Sequence, residues 1–520
     1  MTTASDTIKA YQERDFGTFQ DLVALQASVH PRSVAIRCDD DAVSYRELNQ
    51  LADRVAAGLQ RDGATPGGTV AICAASSILY AAVFIGTLRA GSAISPLSPG
   101  ATPEQLAAMV ADNGATHLFT DSDVSDHLGA VTDELPVRRI ALDDRSRGAT
   151  IDTWLAAEGA TPEPVAIDPD QAFNIIYSSG TTGTPKGIVQ PYSMRWNHMG
   201  RLGGYGPGSV TIVSTGLYSN TTLVSFLPAL ATGGTVILMP KFDPRRFLEL
   251  SEQYKVNYAM LVPVQYRRIL DVPDFDAFDL SSYIVKFATS APFAVELKAE
   301  VLRRWPGGLI EWYGMSEGGG SCQLIAHEHP DKLHTVGTPM DGHEMFVVDE
   351  AGKRLPPGEV GEVVGRSAAM MRSYHNKPEQ TAEAEWRSPS GERFIRTGDL
   401  ASIDEDGFFT LIGRKKEMII SGGFNIYPVD LEAALLAHSA VQEVAVVGVP
   451  SPEWGETPVG FVTLAPGAQV GESALCEFAN ARLGKTQRLS AVKVLAEMPR
   501  NAIGKILKRE LQDRHAAQAI

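Results

Sequence analysis

An α/β fold with a mainly parallel sheet, joined to a β-rich stretch and a small α+β unit, is what this 520-residue sequence predicts. Three observations lead there. Short apolar strands alternate with helical patterns through the first third and again after residue 170. Between about 335 and 412 the strands become short and are punctuated by Gly and Pro. From about 417 two apolar strands and a helix fill a segment of roughly 100 residues, a usual domain size. The chain is also too long for one ordinary core, so two or more domains are expected.

The elements follow in order. "SVAIRC" (33–38) and "AVSY" flank a turn at Asp39–Asp41 and read as strands. Ser44 and Glu47 form a capping box. Leu48, Leu51, Val55 and Leu59 then recur at helical spacing, with Gly63 as the stop. "TVAICA" reads as a buried strand and "LYAAVFIGTLRAG" as a buried helix. Thr102, Pro103 and Gln105 open another helix as cap, N1 proline and N3 glutamine. "THLFTD" closes this unit. "AFNIIYSS", "GTVILMP", "NYAMLVP" and "YIVKFATS" continue the strand rhythm, and "MFVVDEAGKRLPPGEVGEVVG" and "GFFTLIG" supply the β-rich stretch. "HSAVQEVAVVGVP", "GFVTLAP" and a helix near 471–483 make the last unit.

Composition excludes several functions. Lys plus Arg total 46 against 62 Asp plus Glu, a net charge of −16, which argues against a general nucleic-acid or anionic-membrane surface. A polyanionic ligand must then be met locally, by loop N–H groups, a few cations and a metal. The four cysteines, Cys38, Cys73, Cys322 and Cys476, have no regular spacing and read as reduced thiols. The N-terminus lacks an apolar signal core. "LVSFLPALATGGTVILMP" is broken by Pro and Gly, short of the roughly 20 apolar residues a membrane span needs. A cytoplasmic protein without stable membrane insertion is expected.

The chemistry concentrates in a few stretches. In "YSSGTTGTPKGI" (177–188), Gly180, Gly183 and Gly187 allow N–H groups to converge on an anion. Ser178, Ser179, Thr181, Thr182 and Thr184 add hydroxyls, and Lys186 adds a point charge. The loop is not a Walker A motif, because Pro185 replaces its Gly and Gly187 its Ser/Thr. A surface linker of this composition remains an alternative at this point. "YGMSEGG" (313–319) sets an aromatic, a hydroxyl and a carboxylate within five residues. "RTGDL" (396–400) reads as a turn carrying Asp399. "GRKKEMIISGGFNIYPVDLE" (413–432) joins a cationic cluster to a glycine pair, and "PRNAIGKILKREL" (499–511) presents Lys505 after Gly504.

In this order and in one chain, these stretches resemble the ANL adenylating enzymes: acyl-CoA synthetases, peptide-synthetase adenylation domains and beetle luciferases. The resemblance implies a large N-terminal domain at about 1–414, a hinge at 415–416, and a small mobile C-terminal domain at 417–520. It implies an ATP-dependent acid–thiol ligase that forms an acyl-adenylate with release of pyrophosphate and then transfers the acyl group to CoA. The 178–187 loop would hold the leaving pyrophosphate. Glu317 would bind Mg²⁺, Tyr313 would stack on adenine, and Ser290 and Ala291 in "SAPFA" would border the adenine and acyl pockets. Gly314 and Ser316 would meet the nucleotide, with Ser316 standing where Thr is more usual. Asp399 and Arg414 would bond the ribose hydroxyls, a task suited to a carboxylate that accepts from both at once. Lys505 would be the catalytic lysine of the first step and Lys416 the hinge. Gly422 and Gly423 would line the pantetheine tunnel of CoA. Tyr218, Ser290 and Met315 would contact the acyl group. A homodimer is compatible with this reading.

The sequence departs from the family pattern at Tyr218–Ser219 in place of an aromatic–His pair, at Tyr192 in place of His, and at Ser373 in place of Gly. The expected pocket segments, 215–223, 262–268, 288–293 and 312–323, carry Tyr218, Leu223, Val262, Phe293, Met315 and Cys322 with few charges. That points to a fatty or aryl acid. The alternatives are an adenylation enzyme loading a carrier-protein thiol, a non-catalytic nucleotide-binding protein, and a luciferase-like oxygenase. His327 and His329 in "AHEHP" read as surface-loop residues, since no third ligand has sensible spacing.

Overall fold

The computed structural model describes residues 4–129, 135–178, 186–199, 204–421, 424–484, 487–500 and 505–518. Its chain divides into two compact units. The first comprises 1–334, 339–344 and 365–395, and the second 335–338, 345–364 and 396–520. The 345–364 and 396–414 segments thus cluster with the C-terminal part, a different cut from the division at 414.

The first unit carries two sheets. One runs through Thr69–Cys73, Ala93–Pro96, His117–Thr120, Arg138–Ala141 and Ala172–Ser178, all parallel, and ends antiparallel at Lys186–Pro191 and Ser373–Tyr374. The other is parallel through Val34–Cys38, Val210–Val213, Thr235–Leu238, Tyr258–Leu261, Val285–Ala288 and Gly308–Tyr313, with antiparallel strands beyond each end. Helices Tyr45–Arg61, Ile78–Arg89 and Asn220–Ala231 contribute to one continuous core containing Phe84, Phe173, Tyr192 and Phe226. Both capping boxes form, at Ser44–Glu47 and Thr102–Gln105, each satisfying otherwise orphaned N–H groups.

Two sequence readings need correction, and one strand goes unread. "SVAIRC" and "TVAICA" belong to different sheets: Val34–Cys38 pairs with Thr235–Leu238, far along the chain. Periodicity marks a strand but carries no address for its partner. Asp399 lies within the 11-residue strand Arg393–Ile403, not in a turn. Gly398 is left-handed (φ 71°) and the register shifts between Leu400 and Ala401, so a Thr-Gly-Asp run that favours turns is absorbed as an irregularity in a paired strand. The strand Lys186–Pro191, which closes a hairpin after the glycine-rich loop, has no counterpart in the sequence reading. The long apolar stretch after residue 223 divides between the helix Asn220–Ala231 and the strand Thr235–Leu238. Among the described residues no helix is long and apolar enough to cross a membrane.

The strands Glu344–Val348, Gly361–Arg366, Arg393–Ile403 and Phe409–Arg414, most of whose residues fall in the second unit, contribute to one sheet. A further sheet runs Phe424–Ile426, Ile419–Ser421, Gly455–Leu464 and Val441–Ser451, with Ala491–Val494 parallel to Gly455–Leu464. Helices Pro428–Leu436 and Glu472–Asn480 bury Leu431, Leu435 and Leu475 in its core.

Candidate active site

The glycine-rich loop joins two antiparallel strands whose last paired residues are Ser178 and Lys186. The loop residues Ser179, Gly180, Thr181, Thr182, Gly183 and Thr184 lie outside the described residues, as do Gly422 and Gly423. Lys186 is described: its ammonium sits 5.1 Å from the centre of the Tyr374 ring. A cation over an aromatic face is held without being neutralised.

The same tyrosine reaches the carboxylate of the second motif. The Tyr374 hydroxyl donates to Glu317 Oε1 at 2.7 Å. Around Glu317 the chain turns through left-handed Gly318 (φ 73°), where a Cβ would fall 2.0 Å from the Ala369 carbonyl oxygen. Only glycine fits there. Met371 N–H donates to the Glu317 carbonyl at 2.8 Å, so the backbone staples this turn to the 370–374 segment. Met315 packs beside Ile188, Met371, Tyr374 and Ile395. Tyr313 ends the strand Gly308–Tyr313 opposite Cys322 and is half-buried. At Gly314 a Cβ would meet the Ser321 hydroxyl at 2.8 Å. The carbonyl of Ser316 accepts from Gln190 Nε2 at 2.6 Å.

Of the residues expected at the acyl pocket, Ser290 is a non-glycine residue with φ 80°, a conformation that costs energy and is common at ligand-binding positions. Its hydroxyl lies 2.5 Å from that of Thr221, joining two of the expected pocket segments, and Ala291 follows it half-buried. Tyr218 is half-buried, and desolvation raises its pKa. Leu223 and Cys322 are fully buried, and Leu223 belongs to the central core. Burial likewise pushes the Cys322 thiol up, which makes it an inert packing residue. Tyr192 is buried, its hydroxyl 3.3 Å from the Leu88 carbonyl.

The second unit gathers Asp399, Arg414 and Lys505. Asp399 and Arg414 are direct cross-strand partners, with Arg414 Nε 2.7 Å from Asp399 Oδ1. Lys505 is held below the ordinary lysine pKa, first by desolvation and then by the charge of Arg414, against the pull of Glu417 and Asp399. Lys416 sits exposed in the short turn Lys415–Glu417. Its neighbours are clamped on both sides. Lys415 pairs with Glu362 at 3.1 Å, and Glu417 pairs with Lys508 at 3.0 Å. Lys508 also pairs with Glu432 at 3.1 Å.

Sequence reasoning missed Tyr374, Gln190 and Lys508. Tyr374 lies in "MMRSYHNKPEQT" and Lys508 in "GKILKREL", so both sat inside stretches already of interest. Gln190 gave no signal, being one polar residue in an apolar strand. Among the described residues no cluster of three or more His, Cys, Asp or Glu could hold a metal by itself. His327 is exposed. A lone carboxylate steadied by a phenol fits a hard cation that takes its remaining oxygens from phosphate and water, as Mg²⁺ does.

This arrangement has known counterparts. The AMP-binding enzyme model matches residues 23–375, and the AMP-binding enzyme C-terminal domain model matches 430–505. A feruloyl-CoA synthase of an Amycolatopsis species is 31% identical over 497 residues, covering 94% of this chain and 97% of that protein. The fatty acid–[acyl-carrier-protein] ligase ScoC of Streptomyces coeruleorubidus is 29% identical over 513 residues, covering 96% of each. The crystal structure of ATP-bound MatB from Rhodopseudomonas palustris matches with a TM-score of 0.85 at 28% identity, over 95% of this chain and 99% of that one. With both family models matched along one chain, the protein belongs to the AMP-binding enzymes.

Proposed function

We propose that this enzyme is an AMP-forming acid–CoA ligase acting on an aryl or fatty acid. The observation that carries the reading is that the family match runs through both parts of the chain, its second segment ending on Lys505. The similarity to a feruloyl-CoA synthase supports both the CoA acceptor and an aryl acid.

In the first half-reaction a carboxylate oxygen of the acid attacks the α-phosphorus of ATP, and the bond to pyrophosphate breaks. No general base is needed, since the acid is already ionised at neutral pH. Lys186 and the 178–187 loop would take up charge on the leaving pyrophosphate. Lys505 would stabilise the in-line displacement, where charge spreads over phosphoryl oxygens. Glu317, oriented by Tyr374, would hold Mg²⁺, which when bound neutralises phosphate charge. Asp399 and Arg414 would engage the ribose, Tyr313 the adenine, and Ser316 the α-phosphate.

In the second half-reaction the thiol sulfur attacks the acyl carbon, loses its proton and displaces AMP. The C-terminal domain would turn about Lys416 between the two steps, bringing the Gly422–Gly423 segment to the thiol. Ile420, Phe424 and Trp454 are exposed large apolar side chains around that segment, a surface suited to packing against a thiol-bearing arm. A carrier-protein thiol is the second reading, favoured by the similarity to ScoC.

The test is pyrophosphate release over a panel of aryl and aliphatic acids, with and without CoA. ATP-, acid- and Mg²⁺-dependent release, with AMP and an acyl-CoA as products when CoA is present, is expected. Absence of release with every acid would sink the reading. Release without acyl-CoA, but with acylation of a carrier protein, would move it to the second acceptor.

A further inference from the structure

One fully buried cation takes no part in the chemistry above. Arg195, on the helix Tyr192–Met199, is 0% exposed and lies over the Phe173 ring at 5.8 Å. Among the described residues no carboxylate pairs with it. Its hydrogen-bond partners among the described residues are neutral amide oxygens. Nε donates to Asn174 Oδ1 at 3.0 Å, and Nη2 donates to Asn220 Oδ1 at 2.9 Å and to Gln190 Oε1. Gln190 Oε1 also accepts from Asn174 Nδ2 at 2.8 Å. The other end of Gln190 donates to the Ser316 carbonyl.

The connectivity is what matters. Asn220 stands between Ser219 and Thr221, in a segment expected to line the acyl pocket, and Thr221 touches Ser290. Ser316 precedes Glu317. One guanidinium therefore spans two segments assigned to different substrates. A purely structural role explains it poorly. Burying a charge without a counter-charge is costly, and apolar packing of similar volume is commonly as stable or more so. The fork is also not saturated, since Nη1 has no hydrogen-bond partner among the described residues.

We propose that Arg195 is a positioning residue that ties the acyl-pocket segment at Asn220 to the Ser316–Glu317 turn, acting through Gln190 on the second side. The inference rests on the adenylation reading of those two segments. Its consequence is that the phosphate and metal side of the site is set in register with the acid side by a rigid, planar fork. A lysine, with one mobile donor group, does not reproduce this geometry.

The experiment uses the full chain and two readouts: hydrogen exchange over residues 314–320, and the kinetics of pyrophosphate release. Arg195→Met is expected to speed exchange of that turn. It should also lower the rate at saturating ATP and acid by up to about 10²-fold, the scale of an ångström-level misplacement. The Mg²⁺ half-saturation and the KM for the acid should both rise. Gln190→Met should reproduce the exchange and Mg²⁺ effects with the acid KM unchanged. Asn220→Ala should raise the acid KM and leave exchange of the turn as it was. Arg195→Lys should resemble Arg195→Met. Full function in Arg195→Lys would overturn the tie, and so would unchanged exchange in both Arg195→Met and Gln190→Met. If the wild-type chain released no pyrophosphate with any acid, the adenylation reading would fail, while the exchange measurement would still decide whether Arg195 orders the turn.

Discussion

Two charged clusters, one in each compact unit, are built on opposite plans. In the first, Lys186 and Glu317 are both held by Tyr374, the cation against its ring and the carboxylate by its hydroxyl. A neutral group orders two charges and cancels neither. In the second, Asp399 and Arg414 pair directly across strands, and Lys505 is set in the field of that pair. The first plan keeps charge available for a ligand's own cation and anion. The second satisfies its charges internally and presents one further ammonium whose protonation the neighbours tune.

The comparison can be broken at its most consequential point first. Lys505→Ala should lower acyl-adenylate formation by about 10²–10³-fold, the scale of losing one transition-state donor, while pre-made acyl-adenylate is still converted to thioester. Equal loss in both half-reactions would show that Lys505 does more than serve the first. Lys416→Pro should do the reverse, slowing CoA consumption by about tenfold or more with adenylation largely retained, because a fixed φ hinders rotation. Glu317→Gln should raise the Mg²⁺ concentration needed for half-maximal pyrophosphate release about tenfold, and Tyr374→Phe by a smaller factor in the same direction. An unaltered Mg²⁺ dependence in both would remove the metal from Glu317.

The smallest effect concerns pH. Lys505 must be protonated to stabilise phosphoryl charge, and its pKa lies below the ordinary value of about 10.4. Adenylation should therefore fall as pH rises, with the descending limb at lower pH than a free lysine would give. Lys505→Arg, charged throughout, should flatten that limb whatever its overall rate. A limb that stays in place would assign the titration to another group.

Much of this was legible in the residues. The capping boxes at Ser44 and Thr102 and the parallel character of the sheets followed from local signals, because caps and periodicity are local physics. The chemistry-bearing stretches were visible as unusual combinations of Gly, hydroxyl and charged residues. What stayed hidden was long-range. Nothing near Val34 names Thr235–Leu238 as its neighbour, and nothing near Gln190 announces Ser316. Asp399 was misplaced because Gly398 supports both a turn and a kinked strand, and only the partner strand decides between them. Tyr374 was overlooked because its importance lies in what it touches and not in its type.

The pairing of Ile36 with Val236 also bears on how this chain is made. The strand Val34–Cys38 emerges early and can form its hairpin with Asp41–Ser44 at once, but its other edge has no parallel neighbour until the ribosome has added 200 more residues. At ~5–20 residues per second that is about 10–40 s with an open apolar edge. The strands from Thr69 to Pro191 can pair with one another within that interval, and Ser373–Tyr374 joins their edge later. The parallel pairings of the two sheets thus form on different schedules. Until Thr235–Leu238 arrives, the unpaired edge of Val34–Cys38 is a template for pairing with another chain.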